Sequence, residues 1–169
     1  MQKRKYSNIL RKLGLCATMV PLTLYVQQAN AQATIVVSGT VDLNFGAITT
    51  GGGAGTVVID TNGSRTLTGT LVALGGAGLA SNAVVSVSGS TGLAIDLSMT
   101  NSVFTVDNGT GGVMNVNNFN FITNAGGDNI TVTLATSTET YALGATLNVN
   151  ASQASGSYIG NFTVSANYQ

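Results

Sequence analysis

Few side chains in this sequence could do chemistry. The acids are Asp42, Asp60, Asp96, Asp107, Asp128 and Glu139, and there is no His. The bases Lys3, Arg4, Lys5, Arg11 and Lys12 crowd into the first stretch, which leaves Arg65 alone after them. The one Cys is Cys16. General acid–base catalysis needs a group poised near neutrality, and covalent catalysis needs an activated thiol, amine or hydroxyl beside a base. From residue 32 onward the chain has no His, Cys or Lys to fill those roles. A carboxylate pair of the glycosidase kind remains as a formal option. The acids, however, come singly between Asp42 and Glu139, at turn positions or on polar faces of strands. The expectation is therefore a protein with no catalytic residues and no cofactor.

Metal and phosphate chemistry fare no better. Asp60-Thr61-Asn62-Gly63, Asp107-Asn108-Gly109 and Asp128-Asn129 resemble fragments of calcium loops, yet each holds a single acid. Calcium takes roughly six to eight oxygens, several of them carboxylate, whereas Asp and Asn are also ordinary turn residues. Zinc and redox metals favour His and Cys. The glycines of Gly51-Gly52-Gly53-Ala54-Gly55 run into Thr56-Val57-Val58-Ile59, a strand pattern. A phosphate cradle needs a helix opening at that point, so this is read as a loop.

The basic start, the apolar run from Leu13 to about Val26 and the small residues Ala29-Asn30-Ala31 follow the order of a secretory signal peptide. Residues 1–31 are assigned to it, with cleavage after Ala31 or, since Ala31-Gln32-Ala33 also fits, after Ala33. The apolar run is too short for a membrane span. Cys16 lies inside the run behind Leu15, the wrong place for a lipid anchor. From Gln32 on, one base stands against six acids, a net charge of −5. Such a chain cannot neutralise a row of phosphates, which excludes nucleic acid as a partner. The expected destination is the periplasm, then the cell surface or the extracellular space. With no cysteine left, no disulfide frames the fold there.

The remaining positions alternate in the manner of strands. From Tyr158 the even positions read Tyr, Gly, Phe, Val, Ala, Tyr, and the odd ones Ile, Asn, Thr, Ser, Asn, Gln. Successive strand residues face opposite sides, so 157–168 is predicted as a strand ending in Tyr168. At the other end Ile35, Val37, Gly39, Val41, Leu43 and Phe45 share one face of a predicted strand over 34–45. Asn62-Gly63 and Asn108-Gly109 each signal a two-residue hairpin turn. Those turns would set Asp60 opposite Arg65, Val58 opposite Leu67 and Phe104 opposite Val113. Further strand patterns cover Ala83–Ser88, Leu93–Met99, Val113–Phe121, Ile130–Leu134 and Ala145–Asn150. Short strands at about ten-residue spacing, with no amphipathic helical window, imply one all-β domain over 32–169. The fold class is a β-sandwich of about seven to nine antiparallel strands.

Two segments carry a family resemblance. Asp42-Leu43-Asn44-Phe45-Gly46 and Gly156-Ser157-Tyr158-Ile159-Gly160-Asn161-Phe162-Thr163-Val164, with Asn167-Tyr168-Gln169, resemble a bacterial family of secreted domains of unknown function. Val84-Val85-Ser86-Val87-Ser88-Gly89 and Gly144-Ala145-Thr146-Leu147-Asn148-Val149 also fit its pattern. The same features resemble chaperone–usher pilins, in particular the archaic, spore-coat-U-like branch, with Gly156 and Tyr168 at the positions of a conspicuous glycine and a penultimate aromatic. That resemblance implies an immunoglobulin-like, pilin-like sandwich lacking one strand, completed by strand addition from a neighbour. It implies a fimbrial structural subunit, a second copy of the chain and a periplasmic chaperone as partners, and strand-exchange positions Ile35, Val37, Gly39, Val41, Gly156, Tyr158, Phe162, Val164 and Tyr168. Residues 34–41 are then either a donated strand or the first strand of a self-complete sandwich. The second function class is a self-contained secreted module binding a glycan or a surface protein.

Overall fold

The computed structural model describes residues 32–75, 79–121 and 127–169. The expected signal peptide lies outside them. All regular elements described are strands: β1 (Val36–Val41), β2 (Ile48–Thr50), β3 (Gly55–Ile59), β4 (Arg65–Leu67), β5 (Leu71–Ala73), β6 (Ala83–Ser88), β7 (Ala94–Met99), β8 (Phe104–Asp107), β9 (Val113–Phe121), β10 (Asn129–Thr133), β11 (Thr138–Val149) and β12 (Val164–Tyr168). The count exceeds the seven to nine expected because β2, β4 and β5 are three-residue strands, too short to show alternation in the sequence.

Every pairing is antiparallel. The larger sheet runs β1-β6-β11-β3-β4, with β9 also on β11 and β8 on β9. A second sheet runs β10-β7-β12, and β2 with β5 makes a ribbon. Alternation decides what is buried. Ala83, Val85 and Val87 of β6 point inward, as do Ile95, Leu97 and Met99 of β7. Each inner Val or Leu contributes about 1.5–3 kcal/mol relative to exposure.

The central strand is β11. Thr138–Leu143 pairs β6, then Ala145–Val149 pairs β3. Gly144 sits at the change of neighbour, where a Cβ would meet the carbonyl oxygen of Ile59. On its other edge β11 pairs β9 with a register shift between Gly144 and Thr146. Across that shift β9 carries Asn118 at φ 49°, a bulge residue. The bulge resets the phase of β9, so Met114 and Val116 before it and Phe119 and Phe121 after it all face inward. That is why the sequence of β9 reads as mixed.

Both expected two-residue hairpins are corrected, the first by one register step and the second by three. Ile59 rather than Asp60 lies opposite Arg65, and Val57 rather than Val58 opposite Leu67. Phe104 pairs Val116 and Asp107 pairs Val113. The cause is shared. The Asp60 Oδ1 accepts from the amides of Asn62 and Ser64, both at 3.0 Å. The Asn108 Oδ1 accepts from those of Thr110 and Gly112, at 3.0 and 2.8 Å. Each loop is thereby lengthened, with Gly63 (φ 83°) and Gly111 (φ 94°) in the left-handed conformation that a three-residue hairpin loop requires.

The terminal strands are shorter than 34–45 and 157–168. In β1 the ladder shifts between Gly39 and Val41, ends with Val41 opposite Val84, and is followed only by the isolated Asn44–Ser81 bridge. At the other end Val164–Tyr168 pairs β7 in the second sheet, whereas Ile159 bridges Asp107 beside β8 in the first. Residues 160–163 therefore cross from one sheet to the other. The side-chain alternation survives the crossing, but a continuous ladder does not.

Candidate strand-addition groove

The first and last described segments are fastened together. Tyr168 donates its hydroxyl hydrogen to the Ala33 carbonyl at 2.9 Å and accepts from the Ser90 amide. The Ala33 amide in turn donates to Ser90 Oγ at 2.7 Å. Beyond this clasp, β1 and the stretch before β12 do not pair with each other. A groove of about 1250 Å³ opens instead, walled by Val37, Gly39, Val41 and residues 42–50 on one side and by residues 153–164 on the other.

Its floor is made of inward-facing residues of the larger sheet. Ala83 and Val85 come from β6, Met114, Val116 and Phe119 from β9, and Leu147 and Val149 from β11. Phe104 and Val106 of β8 complete it. Three rings tie the far wall to this floor: Phe104 and Phe119 stand edge to face at 5.4 Å, and Phe162 lies 6.3 Å from Phe104 and 5.8 Å from Phe119. Phe162 thus holds the C-terminal segment over the core. Tyr158 anchors the same wall, donating to the Ala154 carbonyl at 2.6 Å and accepting from Gln153 Nε2 at 2.8 Å. Gly156, at φ 155°, backs closely onto Asn108. Ile159 turns outward and is 71% exposed.

The expected exchange positions therefore fall on this groove and its rim. Val37, Gly39 and Val41 line one wall, and Gly156, Tyr158, Phe162 and Val164 line the other. Ile35 packs against the core just ahead of β1, and Tyr168 sits in the clasp. The first wall is itself a paired strand, Val36–Val41 on Val84–Ser88.

Sequence reasoning missed two features. Arg65 does not meet Asp60; its guanidinium donates to the Phe45 carbonyl at 3.1 Å and holds the rim at 45–47. Glu139 accepts from the Tyr141 hydroxyl at 2.9 Å and from the amides of Ala135 and Thr136, at 2.7 and 3.1 Å. These bonds, the Tyr141 hydroxyl first, hold the Glu139 carboxyl below its usual range. Burial, then the bond to Glu139, pushes Tyr141 up to about 12. The Glu139–Tyr141 spacing of two along one strand was the available signal, since it puts both on one face. The pair closes the β10–β11 turn.

Among the described residues no three His, Cys, Asp or Glu side chains gather as a metal site would require, and no helix is long and apolar enough to cross a membrane. Among the described residues Asp42 is the one charged side chain lining the groove. Residues 35–168 match the model of the domain of unknown function DUF4402. The chain belongs to that family. No curated protein and no solved structure matches it. For this DUF4402 domain the groove stands out because its two walls do not pair with each other, although floor residues such as Val85, Val116 and Leu147 are themselves buried.

Proposed function

We propose that this DUF4402 domain is a secreted, non-enzymatic structural protein of the bacterial cell surface, a pilin-like fimbrial subunit that assembles by β-strand addition. The groove carries the reading. It is apolar at its floor and bounded by β1 on one side and by the largely unpaired stretch 153–164 on the other, and an extended segment with alternating apolar side chains fits such a space. Inward side chains would cover Val85, Val116 and Leu147, while the backbone would pair with the walls. A periplasmic chaperone supplies a temporary strand in this scheme. The resemblance of Leu43-Asn44-Phe45-Gly46, Gly156 and Tyr168 to archaic pilins supports the same reading, as does the scarcity of residues able to do catalysis.

The test is assembly in cells. Surface extracts of cells making the protein are expected to hold it in oligomers that resist detergent and dissociate on strong heating. Val41→Asp, which charges an exposed position of the groove wall, is expected to remove the protein from those oligomers while the purified variant keeps its β-sheet circular dichroism. Recovery of the unaltered protein only as a soluble monomer would overturn the proposal in favour of a self-contained binding module.

A further inference from the structure

We infer that this chain accepts a strand without giving one, so that the groove is filled by an extended apolar segment of a different protein. The inference rests on the strand-addition reading and concerns who supplies the strand.

The decisive observation is that β1 is the groove's own wall. Val37, Gly39 and Val41 line it, and the same strand is hydrogen-bonded to β6 over Val36–Val41. Ahead of it Ala33 is held by Ser90 and Tyr168. A chain that sent β1 into a neighbour's groove would lose the clasp and one wall of its own groove. An incoming copy of β1 would then find the vacated edge of β6, pair there as the original did, and leave the groove open. That is a strand swap, which rebuilds old contacts and buries nothing new. Filling the groove requires β1 to stay in place and another strand to enter beside it.

Charge gives the occupant's chemistry. The groove's charged lining residue is Asp42, and residues 32–169 carry a net charge of −5 with Arg65 as their one base. Arg65 is already engaged at the Phe45 carbonyl. The fitting occupant alternates small apolar residues with neutral polar ones and carries a Lys or Arg where it passes Asp42, a combination that no described strand of this chain offers with its base free.

The test uses the full chain, made with its leader and purified, carrying Cys16→Ser, Ser38→Cys and Ser86→Cys. Ser38 and Ser86 are direct partners across β1 and β6, and antiparallel partners lie within disulfide reach. The probe is a peptide of about twelve residues, extending roughly 40 Å, that alternates Val and Thr and ends in Lys. The expected result is an intramolecular disulfide, a single monomer band without reductant, and amide exchange at 157–164 slowed about tenfold with the peptide at ten times its Kd. A ladder of disulfide-linked oligomers would show that β1 is exchanged between copies; it would overturn this inference and leave the strand-addition reading standing. A monomer band with no protection by the peptide would sink both.

Discussion

Removing one oxygen at the clasp tests how firmly β1 is held. Tyr168→Phe keeps the ring but deletes the donor to the Ala33 carbonyl and the acceptor of the Ser90 amide. A partly exposed hydrogen bond contributes about 1 kcal/mol, so the two together stabilise the docked end by roughly 2 kcal/mol. At about 1.4 kcal/mol per tenfold, local opening of β1 becomes about 30-fold more frequent. The effect stays local because β1 has little else to hold it: Val36 is 56% exposed and Val41 45%, and β6 is its one strand neighbour. Amide exchange followed residue by residue is the assay. Exchange at Val37–Gly39 is expected to accelerate 10- to 30-fold, while Val57 and Leu147, in β3 and β11, which carry no clasp residue and pair with neither β1 nor β12, keep their rates. Unchanged protection at β1 would refute the clasp. Equal acceleration everywhere would refute its local character and make Tyr168 an ordinary core residue. In the Ser38→Cys, Ser86→Cys background the same substitution raises the share of intermolecular disulfide, because an undocked β1 reaches a neighbour.

Other expectations follow from the same geometry. Gly144→Val pushes a side chain onto the Ile59 carbonyl and costs on the order of 3 kcal/mol in urea unfolding, or prevents folding. Asn108→Ala removes the acceptor of two loop amides and lowers stability by about 1–2 kcal/mol, whereas Asn108→Asp keeps the acceptor and stays near the parent. Glu139 has its pKa lowered in the fold, so its contribution is present above the ordinary value of 4.5 and is lost as pH falls below it. Tyr141 is raised from 10.0 to about 12, so its contribution is complete below pH 10 and is lost as pH rises toward 12. Urea midpoints measured across both windows check the two signs, and Glu139→Gln is expected to flatten the acid limb.

Alternation in the sequence reports which face a residue shows and leaves open which neighbour its backbone finds. Residues 158–168 illustrate the difference. Tyr158, Phe162, Val164, Ala166 and Tyr168 all pack toward the core as their spacing implies, yet the ladder breaks where the chain passes between sheets. The same limit produced the register slips at Asn62-Gly63 and Asn108-Gly109. The dipeptides mark the turns, but a side-chain acceptor at Asp60 or Asn108 captures two amides and lengthens the loop, a choice of a kcal/mol or so that composition does not announce. In β9 the bulge at Asn118 hides a regular inward row behind a change of phase. The groove was the least legible feature for a deeper reason. Its floor residues, Val85, Val116 and Leu147, carry the same patterns as covered core residues elsewhere, because each strand obeys its period whether or not something lies across it. What marks the site is that Val37–Val41 and Val164 line one groove from two different sheets. The sequence of a sandwich whose walls meet and that of one whose walls stand apart therefore look alike until the walls are placed.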